Sequence, residues 1–265
     1  MKIGIAGCAG RMGQMLAAAV IETPGAELVG GSERADHEAL GADLGTLAGA
    51  AATGVLVSSD PARMFAAADV VIDFTTPDLT LEHARLAISN GTALVVGTTG
   101  LKADHEAALA QAAAKVTVVQ AANMSVGVNL LLGLVRQVAA ILEDGFDIEI
   151  VEMHHCHKVD APSGTALALG REAAAGRGLA LDEVARRVRD GLIGARPKGE
   201  IGFATLRGGD VVGEHTVIFA GEGERIELTH KASSRAIFAR GAVRAALWTQ
   251  GRPPGRYSMR DVLGL

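Results

Sequence analysis

Lys2-Ile3-Gly4-Ile5-Ala6-Gly7-Cys8-Ala9-Gly10-Arg11-Met12-Gly13 joins a short β-branched run to a cluster of glycines, and a helical pattern follows at Arg11–Glu22. Glycines in such a turn let the backbone bend tightly and approach a pyrophosphate, whose charge the N–H groups at the helix start then receive. Glu33 stands at the end of the next apolar run, at the distance where a carboxylate hydrogen-bonds a ribose 2′-hydroxyl. Arg34, beside it, can bind a 2′-phosphate instead. The spacing departs from G-x-G-x-x-G: counting back from Gly13, the first glycine position holds Cys8, and Gly7 sits one residue early. A tight strand–helix turn without ligand would use the same glycines, but the strand before, the helix after and the acid favour a nucleotide.

Outward from this loop the first 125 residues alternate strand and helix. Strands are expected at Lys2–Ala6, Ala26–Gly30, Val70–Phe74, Thr92–Val96 and Val116–Gln120, and helices at Arg11–Glu22, Leu79–Asn90 and Lys102–Lys115. Strands apolar on both faces, separated by helices, make a parallel sheet covered on both sides. The Gly- and Ala-rich segment Ala35–Ser58 carries no clear pattern. The loops Phe74–Pro77, Gly97–Gly100 and Ala121–Met124 follow later strands and should line one crevice at the strands' carboxyl ends.

After Ser125 the rhythm changes. Helices are expected at Val126–Leu142, Ser163–Ala175 and Leu181–Arg189, and strands at Asp147–His154, Ile201–Leu206, Thr216–Phe219 and Arg225–His230, a mixed or antiparallel sheet with tight glycine turns. A final amphipathic helix spans Arg235–Gln250. The expected fold is α/β: a parallel-sheet dinucleotide-binding domain of residues 1–125 plus 235–265, and a second α+β domain of residues 126–234.

Composition narrows the function. Hydrophobic residues make up 49 % and charged residues 21 %, as in a globular protein with ample core. With 6 Phe, 1 Trp and 1 Tyr there is no aromatic row for stacking bases, and a net charge of −5 offers no basic surface to a phosphate backbone. Nucleic acid is therefore not an expected partner. The most lipid-like stretch, Val126–Val135, contains Asn129 and stops at Arg136, too short for a membrane span. Two cysteines, Cys8 and Cys156, build no disulfide framework, so reduced thiols and a cytoplasmic location are expected.

The second chemical stretch is Glu152-Met153-His154-His155-Cys156-His157-Lys158-Val159-Asp160-Ala161-Pro162-Ser163-Gly164-Thr165-Ala166. Three histidines and a cysteine invite a zinc reading. Neighbours on a strand point to opposite faces, however, and no second cluster completes a tetrahedral shell, so no metal is expected. An anionic small-molecule site fits better. Lys158 and the histidines supply positive charge and protons, Asp160 or Ser163 can cap a helix beginning near Gly164, and the N–H groups of Gly164 and Thr165 with the Thr165 hydroxyl make a carboxylate pocket.

Gly7-x-x-Gly10-Arg11-Met12-Gly13, Gly97-Thr98-Thr99-Gly100, Ala122-Asn123-Met124-Ser125-x-Gly127-x-Asn129 and the Glu152–Ala166 stretch together resemble the dihydrodipicolinate reductase family. The likeness continues through Gly213-Glu214-His215-Thr216 and His230-Lys231-Ala232-Ser233-Ser234-Arg235. It implies a Rossmann-type domain joined to a substrate-binding and tetramerisation domain. The implied enzyme transfers a hydride from NADH or NADPH to dihydrodipicolinate, formed from 4-hydroxy-tetrahydrodipicolinate, to give tetrahydrodipicolinate in lysine and diaminopimelate biosynthesis. By position, the resemblance makes His154 the proton donor or acceptor, Lys158 a second catalytic proton donor, and His155, Gly164 and Thr165 substrate ligands. It assigns cofactor contacts to Gly7, Cys8, Ala9, Gly10, Arg11, Met12, Glu33, Arg34, Gly97, Thr98, Thr99, Ala121, Ala122, Asn123 and Met124. It also implies a homotetramer acting on a small dicarboxylate. Cys156 stands where some members carry Arg, and Met124 where some carry Phe. Rival readings are another dinucleotide-dependent reductase of a small dicarboxylate, or a nicotinamide-sensing binding protein; no DNA-reading motif supports a repressor.

Overall fold

The computed structural model describes residues 1–265, apart from the side chain of Glu143. Residues Met1–Val126 with Arg235–Leu265 form one compact unit, and Gly127–Ser234 a second.

The first unit runs β1 (Lys2–Ala6), α1 (Arg11–Glu22), β2 (Glu27–Ser32), α2 (Leu44–Leu47), β3 (Val57–Ser58), α3 (Pro61–Ala67), β4 (Val70–Asp73), α4 (Pro77–Asn90), β5 (Ala93–Val96), α5 (Ala103–Ala113) and β6 (Thr117–Gln120). Its seven strands lie in the order β12-β6-β5-β4-β1-β2-β3, where β12 is Gly255–Tyr257, and every neighbouring pair is parallel. Alternation along the strands divides the core. Ile3, Ile5, Ile72, Val95 and Val119 pack with α1 and Ala242, Val243 and Ala246 of the later helix α9 (Ala236–Trp248), while Val71, Leu94, Val96 and Val118 pack with α4 and α5. The chain leaves β1 toward β2 and β3, then crosses back to β4. The carboxyl ends of β1 and β4 therefore flank the point where strand order reverses, the place where such sheets bind ligands. Several short elements, among them α3, β12, α2 and β3, escaped sequence reading. Asp60-Pro61 caps and starts α3, a signal visible in hindsight; β12 is disguised by the preceding Pro253 and Pro254; and α2 with β3 lie inside the unassigned segment.

The second unit contains α6 (Val126–Leu142), β7 (Asp147–His154), α7 (Gly164–Gly176), α8 (Leu181–Val184), β8 (Ala185–Arg186), β9 (Ile201–Arg207), β10 (Gly213–Ala220) and β11 (Arg225–Ala232); α10 (Met259–Leu263) belongs to the first unit. The sheet order is β11-β10-β7-β9-β8, antiparallel on the β10 side and parallel on the β9 side. Ile148, Ile150, Ile201, Phe203, Val217 and Phe219 pack under Ala166, Leu169 and Ala173 of α7. The helix expected over Leu181–Arg189 is corrected: it stops at Val184, and Ala185–Arg186 pair with Ile201–Gly202. The edge of β9 takes a partner there, and Arg186 donates to Glu200 at 2.6 Å, so tertiary pairing overrides a helix-compatible composition.

Candidate active site

In the first unit the glycine loop follows β1 directly. Gly7 has φ +68°, which other residues adopt only with strain, and a Cβ on Gly13 would lie 2.1 Å from the Gly7 carbonyl oxygen. Helix α1 can thus start hard against the strand, and no side chain caps its N-terminus at Gly10. Glu33 reaches over the loop and accepts from the Ala9 N–H at 3.2 Å. A cleft of about 460 Å³ is lined by Gly7, Gly10, Glu33, Arg34, Phe74 and Thr75, among others. A second, of about 350 Å³, is lined by Arg11, Met12, Phe74, Ala122, Asn123 and Met124 with Arg235 and Phe238. A tight backbone cradle, an uncapped helix terminus and a carboxylate at the loop fit a dinucleotide. Most expected cofactor residues therefore come together. Cys8 is fully buried and faces away, so it can offer only backbone; burial, helped by the Glu33 charge, pushes its thiol up to about 12. Cys156 is exposed. A thiol reagent at about pH 8 should label Cys156 alone in native protein, because only the thiolate reacts; mass spectrometry showing Cys8 labelled before unfolding would contradict this.

Behind these clefts lies a network that sequence reading missed. Asp73, fully buried at the end of β4, accepts from the Thr75 N–H (3.0 Å) and hydroxyl (2.6 Å), the Thr98 hydroxyl (3.2 Å), the Thr80 hydroxyl (2.8 Å) and His83 Nδ1 (2.9 Å). Burial pushes its carboxyl up, but the bond and charge of His83 and the threonine hydroxyls outweigh burial and hold it below the usual carboxylate range. Thr98 is thus turned into this network, beneath the loop it was expected to present.

In the second unit, β7 delivers Glu152 and His154 to the inner face of the sheet. Both are buried, and His154 Nδ1 lies 2.6 Å from Glu152 Oε2. Arg207, opposite His154 on β9, holds Glu152 with both guanidinium nitrogens at 2.8 and 2.9 Å and also donates to the Asp160 carbonyl at 2.7 Å. Lys158 donates to Asp160 Oδ1 at 2.7 Å. Ser163, one of the two residues expected to cap α7, does so by accepting from Ala166 N–H at 3.1 Å, and its own N–H donates to Glu152 at 3.0 Å. His154, Lys158 and the first turn of α7, with Gly164 and Thr165, are therefore linked through Glu152, Arg207 and Asp160. A Cβ at Gly213 would sit 3.0 Å from His154 Nε2, so glycine there keeps space beside that nitrogen. Burial pushes the Glu152 carboxyl up, but bonds from Arg207, His154 and Ser163 outweigh it and leave it below the usual range.

The resemblance assigned roles to His154 and Lys158, but covered His215 only as part of Gly213-Glu214-His215-Thr216 and gave it none. His215 stands on β10 opposite Glu152, and its Nε2 lies 2.9 Å from the Ser163 hydroxyl. The same hydroxyl, which accepts from the Ala166 N–H, thus ties His215 to the start of α7. Burial, then the neighbouring His154, push His215 down to about 4. An unfolded histidine protonates near pH 6.5, whereas the native one stays neutral until about 4, so stability falls as pH drops between these values. The drop attributable to His215 is roughly 3 kcal/mol. Urea midpoints measured at both ends of this window should converge in His215→Asn; an undiminished pH dependence would assign the effect elsewhere.

Among the described residues, no group of three or more His, Cys, Asp or Glu is placed to hold a metal ion, and no helix is long and apolar enough to cross a membrane. Family models described as dihydrodipicolinate reductase match this chain over residues 1–124 (N-terminus) and 127–263 (C-terminus). The chain belongs to the dihydrodipicolinate reductase family. Its likeness to curated members spans essentially the whole length. It is 58 % identical to the 4-hydroxy-tetrahydrodipicolinate reductase 1 of Mesorhizobium japonicum, covering 100 % of this chain and 97 % of that protein. It is 56 % identical to the 4-hydroxy-tetrahydrodipicolinate reductase of Ruegeria pomeroyi, covering 99 % and 98 %. A dipicolinate-bound dihydrodipicolinate reductase from Paenisporosarcina sp. TG-14 has the same fold, with a TM-score of 0.76, 26 % identity and 97 % coverage of both chains. The family model for the C-terminus includes residues that contacts assign to the first unit, because α9 returns to pack against α1.

Proposed function

We propose that this chain is an NAD(P)H-dependent 4-hydroxy-tetrahydrodipicolinate reductase, with the cofactor on the first unit and the dicarboxylate on the second. The carrying observation is the end of the second unit's sheet, where a buried His154, Lys158 and the start of α7 are tied into one hydrogen-bonded cluster. When bound, the nicotinamide cofactor supplies the hydride. Helix α1 would receive the pyrophosphate at its uncapped end, and Glu33 and Arg34 would hold the ribose. Met124, with its soft thioether, lines the cleft beside Asn123. Lys158 and the first turn of α7, with His155 and Thr165, offset the substrate's carboxylate charge. With hydride delivered to the conjugated carbon, negative charge would grow on the rest of the conjugated system; His154, its Nδ1–H given to Glu152, would in its imidazolium form carry a second proton on Nε2, the nitrogen turned away from Glu152, and deliver that one. Lys158 is the second proton source. The proposed working state is a homotetramer built on the second unit, which light scattering of purified protein checks.

The deciding assay mixes protein, freshly made 4-hydroxy-tetrahydrodipicolinate and NADH or NADPH, and follows the reduced-cofactor absorbance. No oxidation with either cofactor would overturn the proposal. Both cofactors are expected to work. Among the described residues the exposed Arg34 guanidinium pairs only with Asp36, at 3.7 Å, so it can turn to a 2′-phosphate. Arg34→Ala should weaken NADPH by about 1.5–3 kcal/mol and NADH far less. Equal losses would remove Arg34 from 2′-phosphate recognition.

A further inference from the structure

We propose that Glu152 is the positioning residue that fixes the ring and tautomer of His154, with Arg207 holding that carboxylate ionised and in place; this rests on the reading of His154 as the proton-carrying group. The carboxylate is 1 % exposed and takes four hydrogen bonds. Oε2 faces His154 Nδ1 and Arg207, and Oε1 faces Arg207 and the Ser163 N–H. An ionised carboxylate only accepts. With Arg207 and Ser163 both donating, the 2.6 Å contact to His154 requires the proton on Nδ1. Proton exchange with substrate is then confined to Nε2, beside the space left at Gly213. The other titratable groups near the ring do not compete for Nδ1: His215 is engaged by Ser163, and Lys158 by Asp160.

The same two residues tie down the loop that carries Lys158. Glu152 holds its far end through the Ser163 N–H, and Arg207 holds its middle through the Asp160 carbonyl. One ion pair, buried on its Glu152 side and part-exposed on its Arg207 side, therefore sets both the histidine and the loop. A buried carboxylate is costly without such a partner, so Arg207 and Glu152 act as a unit.

Glu152→Gln in the full chain tests this. Glutamine presents one acceptor oxygen and one NH₂ group to four donors. The arrangement losing least turns the oxygen toward Arg207 and Ser163 and the NH₂ toward His154, which must then accept at Nδ1 and carry its proton on Nε2. Long-range ¹⁵N–¹H NMR of the neutral ring should show the Nδ1–H form in the wild type and the Nε2–H form in the variant. The value of kcat should fall on the order of 10²-fold or more, as when an orienting carboxylate beside a working histidine is lost, while NADH binding alone is retained. Glu152→Asp keeps an acceptor-only side chain, so it should keep the Nδ1–H form and recover part of kcat. A merely structural role would not invert the tautomer. An unchanged Nδ1–H signal with unchanged kcat in Glu152→Gln overturns the proposal. Should that variant not fold, Arg207→Lys carries the test. It keeps the charge but loses the fork, and both an unaltered ring signal and an unaltered kcat would overturn the proposal. Full activity in His154→Ala would instead refute the reading of His154, and the NMR signature would still report on Glu152.

Discussion

His154→Ala should lower kcat by roughly 10²–10⁴-fold, the usual size of a general acid–base contribution. The residue is buried at the end of β7 with Nδ1 committed to Glu152, so its removal takes away the one ring nitrogen turned toward the open side. The effect should fall mainly on kcat, because His154 is not the main carboxylate ligand. Lys158→Ala should lower kcat over a similar range and also raise KM, since the ammonium both delivers a proton and offsets substrate charge. NADH binding measured without the second substrate should stay near the wild-type value in both, because the glycine loop lies in the other unit. If either variant folds, binds NADH and turns over at nearly the original rate, that residue leaves the mechanism. Lost folding together with lost cofactor binding would mark a structural role instead.

Asp73→Asn should destabilise the first unit strongly. The side chain is wholly buried and accepts from Thr75, Thr80, Thr98 and His83. An amide turns one of its two acceptor positions into a donor, facing either the hydroxyls of Thr75 and Thr98 or the pair Thr80 and His83. Leaving buried polar groups unsatisfied in this way costs about 1–3 kcal/mol per group, read as a lower urea midpoint at neutral pH. The carboxyl is held below its usual range, so its contribution is fully present above the unfolded carboxylate pKa of about 3.9 and is lost as pH falls through the lower native value. Because Asp73 ties the loop after β4 to the loop after β5, NADH and NADPH should both bind more weakly, and by similar factors. An unchanged midpoint with unchanged cofactor affinity would show that the network carries neither stability nor loop position.

Much of the fold was legible because local and tertiary preferences agree. Lys2–Ala6, Arg11–Glu22, Val126–Leu142 and Asp147–His154 have the bounds that their periodicity predicts. Each is an apolar run or stripe with a clear stop. The elements that were misread are short, or depend on partners distant in sequence. Ala185–Arg186 became a strand because β9 offered an edge, and Gly255–Tyr257 joined the sheet beside β6 despite two prolines.

The candidate site divides along the same line. Sequence alone determined that a glycine turn joins β1 to α1, that an acid follows at ribose distance, and that histidines and a lysine precede a capped helix. Those features reside in contiguous stretches, where side-chain type and spacing set the chemistry. Only the tertiary structure decided which groups hold the reactive ones. Arg207 reaches Glu152 from another strand, His215 reaches Ser163 from a third, and Thr98 bends to Asp73 across neighbouring strands. Such partners are separated by tens of residues along the chain. Buried polar atoms must find hydrogen bonds, and only the packed sheet determines which ones come within reach.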